Sequence, residues 1–218
     1  MRLPGFPKAQ GLYDPRYEHD SCGVGFVCNI KGKKSNEILQ KGLITLKRLA
    51  HRGAVGADPK TGDGAGILIQ IPHKFFAKIC DEHKIKLPDY GNYGTGMIFL
   101  PPDEKEREYC KNVITKIIQN EEQTLLGWRA VPVDNSDIGK TARETEPVIE
   151  QIFIGRNKNI KEFIDFERRL YIIRKQIERE IRESKLKQKS FFYITNLSAR
   201  TFSYKGLLMP HQVEKFFL

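Results

Sequence analysis

Cys22 stands in HDSCGVGF, residues 19–26, between a serine and a Gly-Val-Gly. A thiol can act as a nucleophile near neutral pH when a neighbouring base takes its proton. Gly23 and Gly25 leave it without bulky neighbours and let a second backbone approach closely. A structural cysteine is usually packed among large apolar residues, and this one is not. His19, three residues earlier, suggests a Cys/His pair. Phe26, Val27, Cys28 and Ile30 read as a buried strand over about 22–30, which would set Cys22 at the mouth of that strand.

Two further stretches compete for a chemical role. LITLKRLAHRGAVGAD, residues 43–58, reads as a leucine-faced helix ending in His51-Arg52-Gly53, with a basic last turn suited to the helix dipole. TGDGAG, residues 61–66, resembles a phosphate-cradling loop but has neither a GxxxxGK[ST] pattern nor a helix after it. A tight connection between closely packed backbones is the better reading. Asp58 and Asp63 could meet a metal, yet no third acid follows at EF-hand spacing. His73 and His83 are too far apart in sequence for an HxxxH pair, so the histidines read as solvated or hydrogen-bonded rather than as zinc ligands.

The elements that must hold these residues alternate along the chain. A helix is expected over about 35–50 with Gly53 as its stop, then a strand GILIQI and a helix from Pro72 to about His83. A strand follows at 93–100. Asp103 with Glu106 forms a capping-box pattern ahead of a helix whose apolar face is Cys110, Val113, Ile114, Ile117 and Ile118. LLGWRAVPV and QIFIG read as strands joined by a turn-rich segment. A long amphipathic helix occupies about 162–184, and FFYITNLS with TFSYKG reads as a hairpin. The mixture is α+β.

Composition narrows the classes. With 218 residues, 39% hydrophobic and 29% charged, the chain can bury one good core and is neither disordered nor membrane-spanning in pattern. The start lacks an apolar signal region, and the four cysteines include no CxxC pair, which points to a reduced, cytoplasmic setting. Much of the net charge of +10 falls within Arg168–Lys189, where Glu178, Glu180 and Glu183 interrupt it. That is a solvated helix face and not a nucleic-acid track. Cys28, Cys80 and Cys110 read as small core residues.

CGVGF and LAHRGAVGADPKTGDGAGILIQIP, followed in order by GMIFLP, GWRAVPV, IEQIFIGR, ERRLYIIRKQIE and FYITNLSARTFSYKGLLMP, resemble the class II glutamine amidotransferases. These are N-terminal nucleophile hydrolases, and the similarity is greatest to the amidotransferase domain at the start of glutamate synthase large subunits. It covers nearly the whole chain, from about Tyr13 to Leu218. The resemblance implies a four-layer αββα sandwich with two antiparallel sheets. It implies a leader, residues 1–21, removed by cleavage after Ser21 so that 22–218 begins at Cys22, and His19 would leave with the leader. The free α-amine of Cys22, with a pKa near ~7.7–8.0, would then be the base for its own thiol. Arg52 and Gly53 match the family's Arg-Gly beside the nucleophile, in a supporting role; Asp63 and Gly64 are given no chemistry.

Glutamine is the implied substrate, hydrolysed through a thioester, with ammonia passed to a distant site that aminates 2-oxoglutarate. FMN and an iron–sulfur cluster would belong to that distant part, along with a small reductase subunit or ferredoxin. No cofactor or metal site is expected in these residues, and the cysteines other than Cys22 are too scattered for a cluster. The family's later Arg-Phe-Ser-Thr and His-Asn-Gly-Glu segments, which clamp the substrate and form its oxyanion hole, do not occur in this sequence. The expectation is therefore a C-terminally incomplete fold whose substrate-binding residues lie elsewhere, with little activity by itself. The alternatives are a non-catalytic folding or interaction module and an amidotransferase attached to a different synthase. The long stretch from Tyr90 to Lys189 between the early motifs and the last pair of strands favours glutamate synthase over the latter.

Overall fold

A computed structural model describes residues 8–11, 14, 23–53 and 58–217, with Arg52 described in its backbone alone. The elements run α1 (Asn36–Arg48), β1 (Ala65–Gln70), α2 (His73–Glu82), β2 (Tyr93–Leu100), α3 (Glu104–Asn120), β3 (Thr124–Ala130), α4 (Lys140–Glu144), β4 (Val148–Gly155), α5 (Phe163–Glu183), β5 (Tyr193–Ile194), β6 (Thr201–Gly206) and α6 (Gln212–Phe216).

Two antiparallel sheets form, a four-stranded one in the order β3-β4-β2-β5 and a two-stranded one of β1 and β6. β2 and β4 pair along their full length, from Tyr93↔Gly155 to Leu100↔Val148. Their side chains alternate between two cores, as period-two geometry requires. Ile98, Leu100, Ile152 and Ile154 face α3 and α5, where Ile114, Ile118, Phe166, Leu170, Ile173 and Ile177 meet them. Tyr93, Met97 and Phe153 turn the other way, toward Phe76 of α2, Phe202 of β6 and Phe216 of α6. Fully burying one such side chain stabilises the fold by ~1.5–3 kcal/mol. α1 rests directly on β1, since a Cβ at Gly42 would lie 3.2 Å from Ile67 Cδ1. The architecture is α+β with two antiparallel sheets, as the N-terminal nucleophile hydrolase resemblance implies.

A polar row crosses the face of the four-stranded sheet that carries Tyr93 and Met97. Thr95 Oγ1 donates to Ile152 O at 2.8 Å and accepts from Gln151 Nε2 at 2.9 Å, while Gln151 Oε1 accepts from Arg129 Nε at 2.8 Å. All three side chains are buried, so each bond replaces water that cannot reach them. Burial lowers the Arg129 pKa from its usual value.

Five expectations are corrected. No strand forms within residues 23–30: Val24, Phe26 and Ile30 are 86%, 89% and 100% exposed and pair with no sheet edge, so apolar composition there is not matched by a partner strand. Cys28 on this segment is accordingly exposed and not a core residue. β5 and β6 do not form a hairpin with each other, because β5 pairs with β2 and β6 with β1. Between them, Ala199 N–H and Ser198 Oγ donate to the Glu167 carboxylate of α5, and Asn196 Nδ2 donates to Thr201 O at 2.7 Å, holding a corner at which the chain changes sheets. α1 ends at Arg48 rather than near Ala50, and Gly53 closes a following 3₁₀ turn with extended backbone, φ −87°. Asp103 does cap α3, accepting from Glu106 N–H at 2.9 Å, but Glu106 takes the N–H groups of Lys187 and Gln188 and not that of Asp103.

Candidate functional site

Ser35 starts α1, its side chain accepting from Ile38 N–H, and Lys47 and Arg48 in the last turn complement the negative end of the dipole. The helix gives way to the 3₁₀ turn Ala50–Arg52, closed by Gly53 N–H donating to Ala50 O at 3.1 Å. His51 Nδ1 lies 3.0 Å from Arg48 O, which keeps its ring on the helix end. Gly25 packs on the C-terminal half of the same helix: a Cβ there would come 2.6 Å from Thr45 Cγ2 and 3.8 Å from Leu49 Cδ1. Only glycine permits this approach. Gly25 therefore lies against the C-terminal half of α1, the helix that leads into the Arg52-Gly53 turn. Cys22, Ser21 and His19 lie outside the described residues.

The glycine-rich stretch from Asp58 to Gly64 is a tight connection, held at several points. The Asp58 carboxylate accepts from Lys60 N–H at 3.0 Å and from Thr61 Oγ1 at 2.8 Å. It also accepts from Thr141 N–H at 3.0 Å, in the first turn of α4. These bonds, the Thr141 one foremost, hold its pKa below the usual carboxylate range. Thr61 Oγ1 in turn accepts from Ala142 N–H at 3.3 Å. Gly139 sits against both side chains so closely that a Cβ would collide with Thr61 Oγ1 and Asp58 Oδ2. Gln212, 2% exposed, donates to Lys60 O at 3.0 Å and Asp137 O at 2.7 Å, tying α6 to the same loop. Lys60 and Lys215 flank the Asp137 carboxylate at 3.1 and 3.7 Å, and the Lys60 hydrogen bond first, then the Lys215 charge, lower its pKa.

Beyond this anchor the loop returns to the Arg52-Gly53 turn. Gly62 packs on the backbone of Leu208, where a Cβ would lie 2.5 Å from the carbonyl oxygen. Asp63 Oδ1 then comes within 3.4 Å of the position a Cβ would take on Gly53, and Gly64 reverses the chain at φ +126°. A cleft of about 560 Å³ opens beside Asp63, lined also by Leu68, Phe99, Ser203 and Lys205.

The metal reading of Asp58 and Asp63 finds no support, since Asp58 is occupied by backbone and hydroxyl donors. Among the described residues no three His, Cys, Asp or Glu side chains are placed to hold an ion. Cys80 and Cys110 are fully buried in different cores, and burial pushes their thiols up to about 11 and about 12. Neither can serve as a thiolate nucleophile near neutral pH. Asp58, Thr61 and Gln212 carry the organisation of this loop, and sequence reasoning passed over them as anchors. Asp58 to Thr141 spans 83 residues, a separation to which no local spacing is sensitive.

The sequence pattern defining the glutamine amidotransferases class-II matches residues 22–218. The chain belongs to that family. It is 46% identical over 217 residues to the glutamate synthase [NADPH] large chain of Bacillus subtilis (strain 168), covering all of this chain and 14% of that protein. It is 41% identical over 220 residues to the glutamate synthase [NADH] of Schizosaccharomyces pombe, covering 97% of this chain and 10% of that one. A ferredoxin-dependent chloroplastic glutamate synthase of Oryza sativa subsp. japonica is 39% identical over 211 residues, covering 97% and 13%. The chain thus spans about a tenth to a seventh of the length of these curated relatives. Among the described residues no helix is long and apolar enough to cross a membrane.

Proposed function

We propose that residues 22–218 are the front of a glutaminase domain that hydrolyses glutamine through Cys22, freed as the N-terminal residue by removal of residues 1–21. The observation that supports this most is the packing of Gly25, three residues after Cys22, on Thr45 and Leu49 of the helix that leads to Arg52 and Gly53. The α-amine takes the thiol proton, and the sulfur adds to the side-chain amide carbon of glutamine. The carbonyl oxygen carries the resulting negative charge. The C–N bond then breaks, and the nitrogen leaves as ammonia with the proton held by the amine. Water attacks the thioester, releasing glutamate and restoring the thiol. Arg52 and Gly53 support the nucleophile by position and charge.

Ammonia passes to a 2-oxoglutarate-aminating site outside these residues, in a longer glutamate synthase working in the cytoplasm with a reductase subunit or ferredoxin as electron source. FMN and an iron–sulfur cluster belong to that outside part. The described cysteines do not converge on a cluster, since Cys80 and Cys110 lie in separate cores and Cys28 is exposed.

A diazo-ketone analogue of glutamine tests this reading. The full-length protein is expected to gain one label, mapped to Cys22, and its Cys22→Ala variant none. Failure of the folded wild type to react would favour a non-catalytic module instead.

A further inference from the structure

We infer that Asp58, latched onto the first turn of α4, is a positioning residue for the Arg52-Gly53 turn. This rests on the glutaminase reading above and adds a residue to it. The segment Asp58–Asp63 abuts the turn, because Asp63 Oδ1 lies 3.4 Å from the position a Cβ would take on Gly53. A segment anchored two residues before Asp63 has little freedom to shift against that turn. Asp58, bonded to Thr61 Oγ1, supplies the anchor. Its carboxylate accepts from Lys60 N–H, Thr61 Oγ1 and Thr141 N–H at 2.8–3.0 Å, bonds within the loop and across to α4.

The latch is built with complementary shape on both sides. Gly139 has room for no side chain against Asp58 and Thr61, and Gly139 N–H donates to Lys60 O at 3.0 Å. Thr61 Oγ1 accepts from Ala142 N–H while its hydrogen goes to Asp58, so the pair forms one unit. Gln212 adds a second brace through Lys60 O and Asp137 O. Asp58 lies five chain steps from Gly53, a reach of at most ~18 Å, so the latch limits where the turn can go. A carboxylate accepting several charge-assisted hydrogen bonds is a stiff anchor. It acts on Arg52 and Gly53 through the loop and does not touch substrate.

The test compares two labelling rates at Cys22 in the full protein, one with the diazo-ketone analogue of glutamine and one with iodoacetamide, which needs only an exposed thiol. Asp58→Ala and the milder Thr61→Val are expected to slow the glutamine analogue ~10- to 100-fold, the scale on which small misplacements act. Iodoacetamide rates should hold, and Thr61→Ser, which keeps the hydroxyl, should retain the wild-type rate with both reagents. Unchanged analogue labelling in Thr61→Val and Asp58→Ala, with the wild type reactive, overturns the latch and leaves the glutaminase reading intact. Equal slowing with both reagents also overturns it, because the variants would then have altered the thiol or the fold in general. A folded wild type that ignores the glutamine analogue defeats the glutaminase reading itself, and this inference with it.

Discussion

Cys80 and Cys110 are sealed in separate cores, while Cys28 lies on an exposed segment. Because the thiolate is the reactive form, burial that pushes the two thiols up to about 11 and about 12 silences them near neutral pH. Peptide mapping after mild alkylation should find Cys28 modified and Cys80 and Cys110 protected until denaturant is added; early modification of either buried thiol would contradict the packing. The Asp58 carboxyl makes a second residue-scale prediction. Its folded pKa lies below the unfolded value, so its stabilising bonds are present above the ordinary carboxylate range and lost as pH falls through the folded pKa. Urea unfolding at several pH values should show wild type losing its advantage over Asp58→Asn below about pH 4. An advantage that instead grew with acid would refute the assignment. Gln151→Leu strands Arg129 and Thr95 in a buried face, and the expected cost is ~1–3 kcal/mol by denaturant unfolding.

At the scale of elements, the long helices were legible because periodicity alone marks a half-buried face. In α5, Phe166, Leu170, Ile173, Ile177 and Ile181 all face the core, while Arg174 and Lys175 meet Glu178 on the solvated side at 2.7 and 2.6 Å. β2 was legible over its full length as well, since eight residues with aromatic and β-branched character stand between turn signals. The five-residue helices α4 and α6 were not, being too short to display a repeat. The corner at residues 196–200 was misread because a turn between two strands looks the same whether they pair with each other or with separate sheets. What decides it is Glu167 on α5, distant in sequence. The N-cap of α3 was read correctly, and Asp103→Ala should cost about 1 kcal/mol in thermal or urea unfolding. No loss of stability there would mean that the distant Gln188 and Glu106 contacts hold the helix end by themselves.

Across the whole molecule, the candidate site was legible to the extent that its residue types and order were. The family motifs CGVGF and LAHRGAVGAD nominate Cys22, Arg52 and Gly53; Cys22 lies outside the described residues, and Gly25 packs on Thr45 and Leu49 of the helix that leads to Arg52 and Gly53. The latch around Asp58 was not legible, because it depends on α4 and α6 meeting a loop from the far end of the chain. On the proposed reading, a nucleophile at Cys22 and a loop fixed by α4 and α6 make the site a property of the assembled fold. The proposed chemistry requires Cys22 to be residue one of the mature protein. The most direct measurement is intact mass with N-terminal peptide mapping of the folded, purified protein. Loss of Met1–Ser21 and a free α-amine on Cys22 are expected. A folded protein that retains Met1–Ser21 and still takes up the glutamine analogue at Cys22 would contradict that requirement, since the base for the thiol would then have to be another group.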